Sequence, residues 1–246
     1  MSKKTGISRR KFLKATGLAV GTAALGSVLT PAVTTSEVHA AQHAHTAASG
    51  SGAKLIRGKH FFTNALDFNT LSAAAERIFP KDELGPGAIE LGAPYFIDNQ
   101  LASAYGINAR EYTEGPYAQG SPTQGPQTAL LNKDLFLQGL AALNAQSNST
   151  FKKNFPDLSD VQKDDILRMC QAGNIPTVGF TSSYFFSMLR EAVLAGVYAD
   201  PIYNGNLNME GWKMKEYPGA QMFYTDIIET DVFQKIDPMS LADMQG

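Results

Sequence analysis

The residues of this chain that could do chemistry are few, and their distribution is lopsided. All four histidines (His39, His43, His45 and His60) lie at or before position 60, and the only thiol in the chain is Cys170. From Phe61 to Gly246, Ser-His-Asp triads, His-bearing zinc sites and His-ligated haem are therefore excluded. His43 and His45 sit in an Ala-, Ser- and Gly-rich stretch without further ligands, where they read as solvated side chains, and His60 is a lone third. The adjacent carboxylates Asp164 and Asp165 point to different faces of a helix and do not make an acid/base pair. No spacing marks out the two separated carboxylates of a glycosidase, although composition leaves that chemistry open. Gly85-Pro86-Gly87 lacks the third glycine of a dinucleotide-binding turn and leads into no βαβ pattern. There is no C-x-x-C-H for c-type haem, no cysteine run for an iron–sulfur cluster and no G-x-S-x-G elbow. Asn204, Asn206, Asn208 and Glu210 alternate in the manner of an acidic calcium loop. Three neutral carbonyls and one carboxylate would lack the charge that gives tight Ca²⁺ binding, and the competing reading is a loop in which Asn accepts unusual turn conformations.

The elements that must position these residues read as helices. N-cap candidates at Asp67-Phe68-Asn69-Thr70 precede Leu71, Ala74, Ala75, Ile78 and Phe79, which share one face, and Pro80 stops the run. A second helix starts with Pro94 in its first turn and runs through Phe96, Ile97 and Leu101 to about Ala104. Residues 105–128 carry Gly106, Gly115, Pro116, Gly120, Pro122, Gly125 and Pro126, and form a long Gly/Pro-rich loop that is either functional or mobile. A third helix is predicted near Lys133–Ala145. Ser159-Asp160-Val161-Gln162 reads as a capping box opening a fourth, with Val161, Ile166, Met169 and Cys170 on its apolar side before Gly173. Ser182 or Ser183 caps a fifth, strongly apolar helix through Phe186, Leu189, Ala192 and Val193 toward Gly196. Beyond it, no helical period is visible between Asp200 and Gly219. The fold expected is mainly α: a single helical domain over residues 61–246 with long ordered loops and little or no sheet.

Length and composition agree with one sizeable core: 246 residues, 43% hydrophobic and 18% charged. The formal charge of −2 hides an asymmetry, because residues 1–40 hold six of the 21 basic and one of the 23 acidic side chains, leaving 15 − 22 = −7 for the rest. So acidic a domain is not built to hold nucleic acid or an anionic membrane surface. Ser8-Arg9-Arg10-Lys11-Phe12-Leu13-Lys14, an apolar Gly- and Ala-rich stretch from Ala15 to Val33, and Val38-His39-Ala40 before Ala41 make a three-part export signal over residues 1–40, with cleavage between Ala40 and Ala41. Arg9, Arg10, Phe12 and Leu13 resemble the twin-arginine (Tat) pattern. The other reading, a membrane anchor, is opposed by Gly17, Gly21, Gly26 and Pro31. No cysteine lies in the signal, so a lipoprotein is excluded. Residues 41–60 read as a flexible linker.

Asp200-Pro201-Ile202-Tyr203-Asn204-Gly205-Asn206, then Gly211-Trp212-Lys213 and Tyr217-Pro218-Gly219, resemble the D-P-x-Y-G-G-N…G-W…Y-P-G signature of the gluconate 2-dehydrogenase subunit 3 family. Ile78-Phe79-Pro80 with Asp82 and Gly87-Ala88, the Phe96-Ile97-Asp98 helix, and the Phe185–Gly196 helix extend the resemblance over roughly Leu71 to Gly219. Asn204 departs from it, standing where the family usually has glycine. The resemblance implies a small subunit without a redox group. Such a subunit binds a flavin-containing (GMC-type) catalytic subunit in the cytoplasm, aids its maturation and supplies the Tat signal. FAD is then expected in the partner and haem c in a multihaem cytochrome subunit, with the complex on the periplasmic side or outer face of the cytoplasmic membrane.

Under that reading Cys170 is a candidate for an intersubunit disulfide, some family members being so linked; the alternative is a buried small apolar residue. Tyr203, Trp212 and Tyr217 are either interface anchors or staples of their loop to the core. Phe180, Tyr184, Phe185 and Phe186 are expected to supply exposed apolar surface when the subunit is alone. Two other classes of function stay in view: an autonomous exported carbohydrate hydrolase working through carboxylates, and a small-solute binding protein.

Overall fold

The computed structural model describes residues 58–246 apart from Thr113, Gln119, Pro122, Thr123, Gly125, Pro126, Asp226 and Gly246. The twin-arginine segment, the cleavage pair Ala40 and Ala41, and the stretch bearing His43 and His45 lie outside the described residues. Among those described, the chain is helical: α1 (Ala65–Ile78), α2 (Ala93–Leu101), α3 (Asn132–Phe151), α4 (Asp160–Gln171), α5 (Ser182–Tyr198) and the short α6 (Glu210–Met214). The described residues form no strand, only two isolated bridges, Asp82 with Gly85 and Gly219 with Met239. The mainly α fold expected from the sequence is the fold observed.

Side-chain caps mark the start of three of these helices, α1, α4 and α5. Asn64, three residues before the first cap expected, accepts the Leu66 N–H at 2.9 Å, which leaves Asp67 in the first turn where the helix dipole favours a carboxylate. The Ser159 capping box forms as expected: its side chain accepts from the Gln162 N–H, and the Gln162 carboxamide accepts the Ser159 N–H at 3.0 Å. Val161, however, faces solvent, and Ile166, Leu167 and Cys170 carry the buried stripe of α4. Thr181, rather than either following serine, caps α5 by accepting the Tyr184 N–H. Ser182 is instead buried, its hydroxyl accepting the Ile175 N–H at 3.3 Å.

Helix α3 runs 20 residues, six past its expected end. The apolar period fades there because buried positions hold polar side chains that are satisfied internally. Asn144 donates to the Thr70 hydroxyl at 2.8 Å and accepts the Phe155 N–H at 3.0 Å, while Ser147 donates to the Leu143 carbonyl at 2.7 Å. Helix α5 lies at the centre, packed against α1, α2, α3 and α4. Its Phe185 meets Phe136 edge to face at 5.9 Å and lies against Gly139, where a Cβ would fall 2.3 Å from the ring. Phe185 is thus core, and Phe180, Tyr184 and Phe186 pack half-buried against it. The exposed apolar surface expected of these four residues lies elsewhere.

Two polar links tie distant segments. The buried Asp98 carboxylate accepts the N–H groups of His60, Phe61 and Phe62, the last at 2.8 Å, and fixes the start of the described chain on α2. Arg77 of α1 forms a two-pronged pair with Asp164 of α4, both contacts at 2.8 Å. Asp165 turns away to Arg168 of its own helix, as adjacent helical carboxylates must.

Candidate functional site

The segment from Asp200 to Gly219 folds as a chain of tight turns across the end of α5, and that path accounts for its composition. Asp200 begins it. One carboxylate oxygen accepts the Ile202 N–H at 3.0 Å and caps a 3₁₀ turn over Pro201–Tyr203; the other accepts the Leu241 N–H at 2.8 Å, tying the C-terminal region to the same point. Asn204, Asn206 and Asn208 have φ of 68°, 45° and 55°. All are left-handed, a conformation that Asn tolerates better than most side chains. Asn204, where the resemblance has glycine, thus sits in a left-handed turn, and the asparagines that looked like a calcium loop occupy left-handed positions, followed by a left-handed Met209. The Asn206 carboxamide oxygen is occupied by the Gly211 N–H at 2.8 Å, and Glu210 pairs with Lys213. Among the described residues no three His, Cys, Asp or Glu side chains are placed to hold a metal ion.

Gly205 and Asn206 pass directly under α5. A Cβ on Gly205 would sit 2.2 Å from the Gly196 carbonyl oxygen, and the Asn206 N–H donates to that same oxygen at 2.9 Å. Gly211 is buried under the Val197 carbonyl in the same way. Trp212, 6% exposed on α6, donates its indole N–H to the Tyr198 carbonyl at 2.8 Å, satisfying an orphan acceptor of the last turn of α5. Tyr217 meets the indole edge to face at 5.4 Å. Pro218 and Gly219 then pair with Met239, the Met239 N–H donating to Pro218 and the Ala220 N–H to Met239. The single-turn helix α6 was not visible in the sequence, being too short to show a period.

The signature thus divides. Gly205, Asn206, Gly211 and Trp212 are buried and hold the turns on α5, and buried Gly219 packs on Met239 and Trp212; Tyr203 and Tyr217 are each 51% exposed. Of the two readings open for the aromatics, Trp212 is a staple of its loop, while Tyr203 and Tyr217 are half exposed, Tyr217 with its ring against the indole. Cys170 lies far down the buried face of α4, 1% exposed, its thiol donating to the Ser182 carbonyl at 3.3 Å. Burial pushes that thiol up to about 12, opposing the thiolate that disulfide exchange needs. Of the two readings open for this residue, the structure puts the thiol in the buried one.

Elsewhere the described part of the 105–128 loop is pinned to α3. The Asn132 N–H donates to the Asn108 side chain at 2.8 Å, and the Lys133 N–H to the Gly106 carbonyl at 3.0 Å. The loop walls a cavity of about 390 Å³ with Asn108, Glu111, Tyr112, Tyr117 and Tyr184. Burial raises the Tyr184 phenol and pushes Tyr105 up to about 12, helped by the charge of Glu111. Neither phenol is poised to give up a proton. No described helix is long and apolar enough to cross a membrane.

Sequence reasoning overlooked a cluster in sequence of exposed apolar side chains beyond Gly219. Met222, Phe223, Ile228, Val232 and Phe233 are each at least two-thirds exposed. Their one sequence signal was a run of large apolar side chains without a helical period.

The expectation of a resemblance from Leu71 to Gly219 can be set against known families. The family model of gluconate 2-dehydrogenase subunit 3 matches residues 65–219, from the first residue of α1 to the glycine that closes the signature. No curated protein and no solved structure matches the chain. The signature turns, the capped helices that support them and the extent of the match lead to one conclusion: the chain belongs to the gluconate 2-dehydrogenase subunit 3 family.

Proposed function

We propose that this chain is the non-catalytic small subunit of a flavin-dependent (GMC-type) dehydrogenase complex acting on gluconate, another sugar or a polyol. In this reading it binds the catalytic subunit in the cytoplasm, aids its maturation and carries it through the twin-arginine route. The observation that carries the reading is the family match over residues 65–219, because subunit 3 of a dehydrogenase implies a catalytic partner. The twin arginines Arg9 and Arg10 support the export half, since that route moves proteins already folded around a cofactor. The half-exposed Tyr203 and Tyr217 support the binding half, aromatic side chains being the commonest anchors of protein interfaces. FAD belongs to the partner and haem c to a cytochrome subunit that accepts the electrons. The complex works on the periplasmic side or outer face of the cytoplasmic membrane.

The test is localisation. In cells carrying Arg9→Lys with Arg10→Lys, both this chain and the membrane-associated dehydrogenase activity should remain in the cytoplasm. Dehydrogenase activity that still reaches the envelope at its normal level would remove the escort role.

A further inference from the structure

The signature ends at Gly219, and so does the match to the family. The segment beyond it has an unusual combination of properties. Between residues 221 and 237 the described chain forms no helix and no strand. It is nevertheless closed at its base. Ala220 bonds to Met239 at 2.8 Å, Leu241 is held by Asp200 at 2.8 Å, and Lys235 pairs with Glu216 at 2.7 Å. The arm so formed projects large apolar side chains into solvent: Phe233 is 84% exposed, Met222 80%, Ile228 75% and Phe223 68%. Such an array is costly for a free protein and marks an interaction surface. Between its limbs lies a cavity of about 290 Å³ whose apolar wall is formed by Tyr224, Ile227, Val232, Phe233 and Ile236 and whose polar wall includes the Lys235–Glu216 pair.

Charge narrows the choice of occupant. The same 17 positions carry Asp226, Glu229, Asp231 and Asp237 against the single Lys235. An anionic lipid surface would be repelled by such a segment. A second copy would bring two acidic arms face to face, which like-charge repulsion disfavours. A protein groove with an apolar floor and a basic rim fits. We propose that this arm is the grip by which the chain selects its own catalytic subunit: Phe223 and Phe233 enter an apolar groove of the larger subunit, and Glu229 and Asp231 meet basic side chains at its rim. The inference rests on the reading of this chain as a dehydrogenase subunit. Its content is that partner choice lies outside the part shared with the family. The helical body and signature turns provide the common platform, and the arm anchored to it at Asp200 and Gly219 supplies the discrimination.

The experiment is co-purification of the full-length tagged chain from the envelope of its own cells, scored by the flavin absorbance and mass of the larger protein retained. Three forms are compared: the unaltered chain, Phe223→Ser with Phe233→Ser, and Glu229→Lys with Asp231→Lys. Because these side chains are exposed, the purified variants should keep the circular dichroism and melting temperature of the parent. Loss of two interface aromatics should lower flavoprotein retention about tenfold or more. The charge reversal should lower it as well, and retention by the parent chain should fall as salt is raised. Equal retention by the parent and the Phe223→Ser, Phe233→Ser variant overturns the arm while leaving the subunit reading intact. Absence of any flavoprotein with the parent chain overturns both. A parent chain that sediments as a dimer, or binds anionic vesicles, through Phe223 and Phe233 overturns the choice of occupant.

Discussion

The indole N–H of Trp212 donates to the backbone carbonyl of Tyr198 at 2.8 Å, so the sole tryptophan of the chain completes the C-terminal turn of its central helix. The bond joins the signature loop to the core through one side chain. Trp212→Ala should cost about 3–5 kcal/mol by opening a cavity at the site. Trp212→Phe should cost about 1–3 kcal/mol, since it keeps most of the packing but strands the Tyr198 carbonyl. Urea unfolding followed by circular dichroism measures both. A Trp212→Ala protein as stable as the parent would mean that the loop is not fastened to α5.

Gly205→Ala tests the close passage beneath that helix. The new Cβ would fall 2.2 Å from the Gly196 carbonyl oxygen, a backbone atom that cannot rotate away. The loop must shift, breaking the Asn206 to Gly196 hydrogen bond, and a loss of about 2–4 kcal/mol is expected from overpacking together with the lost bond. Gly58→Ala is the control: its Cβ would meet nothing closer than 3.9 Å, and the change should stay within about 0.5 kcal/mol.

The buried thiol of Cys170 gives a chemical prediction. In the native chain it should resist alkylation by iodoacetamide and react fully once denaturant is added, because burial suppresses the thiolate. The same shift sets the sign for stability. The folded value lies above the unfolded one, so this contribution is complete below the unfolded value of about 8.5 and declines as pH rises from there toward about 12. Cys170→Ala should therefore show a shallower alkaline decline in melting temperature than the parent. Rapid alkylation under native conditions would show that the thiol reaches the surface.

Acid stability should depend on the pairing of Arg77 with Asp164. The hydrogen-bonded guanidinium holds the Asp164 carboxyl below its ordinary range. A depressed carboxylate stabilises the fold above its unfolded pKa and loses that contribution as pH falls through the folded value. Asp164→Asn should therefore be less stable than the parent at neutral pH, and the two melting curves should converge below about pH 4. Curves that stay parallel down to strong acid would contradict the assignment.

How much of this was legible in the sequence differs element by element. Helices α1, α2, α4 and α5 announced themselves through apolar spacing, and of their caps only the Ser159 box was legible to the residue, the caps of α1 and α5 falling on Asn64 and Thr181. The end of α3 was hidden because Asn144 and Ser147 occupy buried positions whose hydrogen bonds no periodicity reveals. The first cap was missed since Asn64 competes with three equally good candidates downstream. At the site, the signature residues were legible as a motif, but their division into buried and exposed halves was not. It depends on which carbonyls of α5 pass overhead, a tertiary fact. Asp98 was visible only as part of a helix; its three N–H partners lie 36 to 38 positions away.

The central claim is that the chain works bound to a larger flavoprotein. The most direct measurement is to purify the tagged, unaltered chain from its own cell envelope and record the masses and visible spectrum of what elutes. The result expected is a larger yellow protein in stoichiometric amount, bound without a reducible link through Cys170. A chain that elutes alone and colourless, with or without reductant, would contradict the claim.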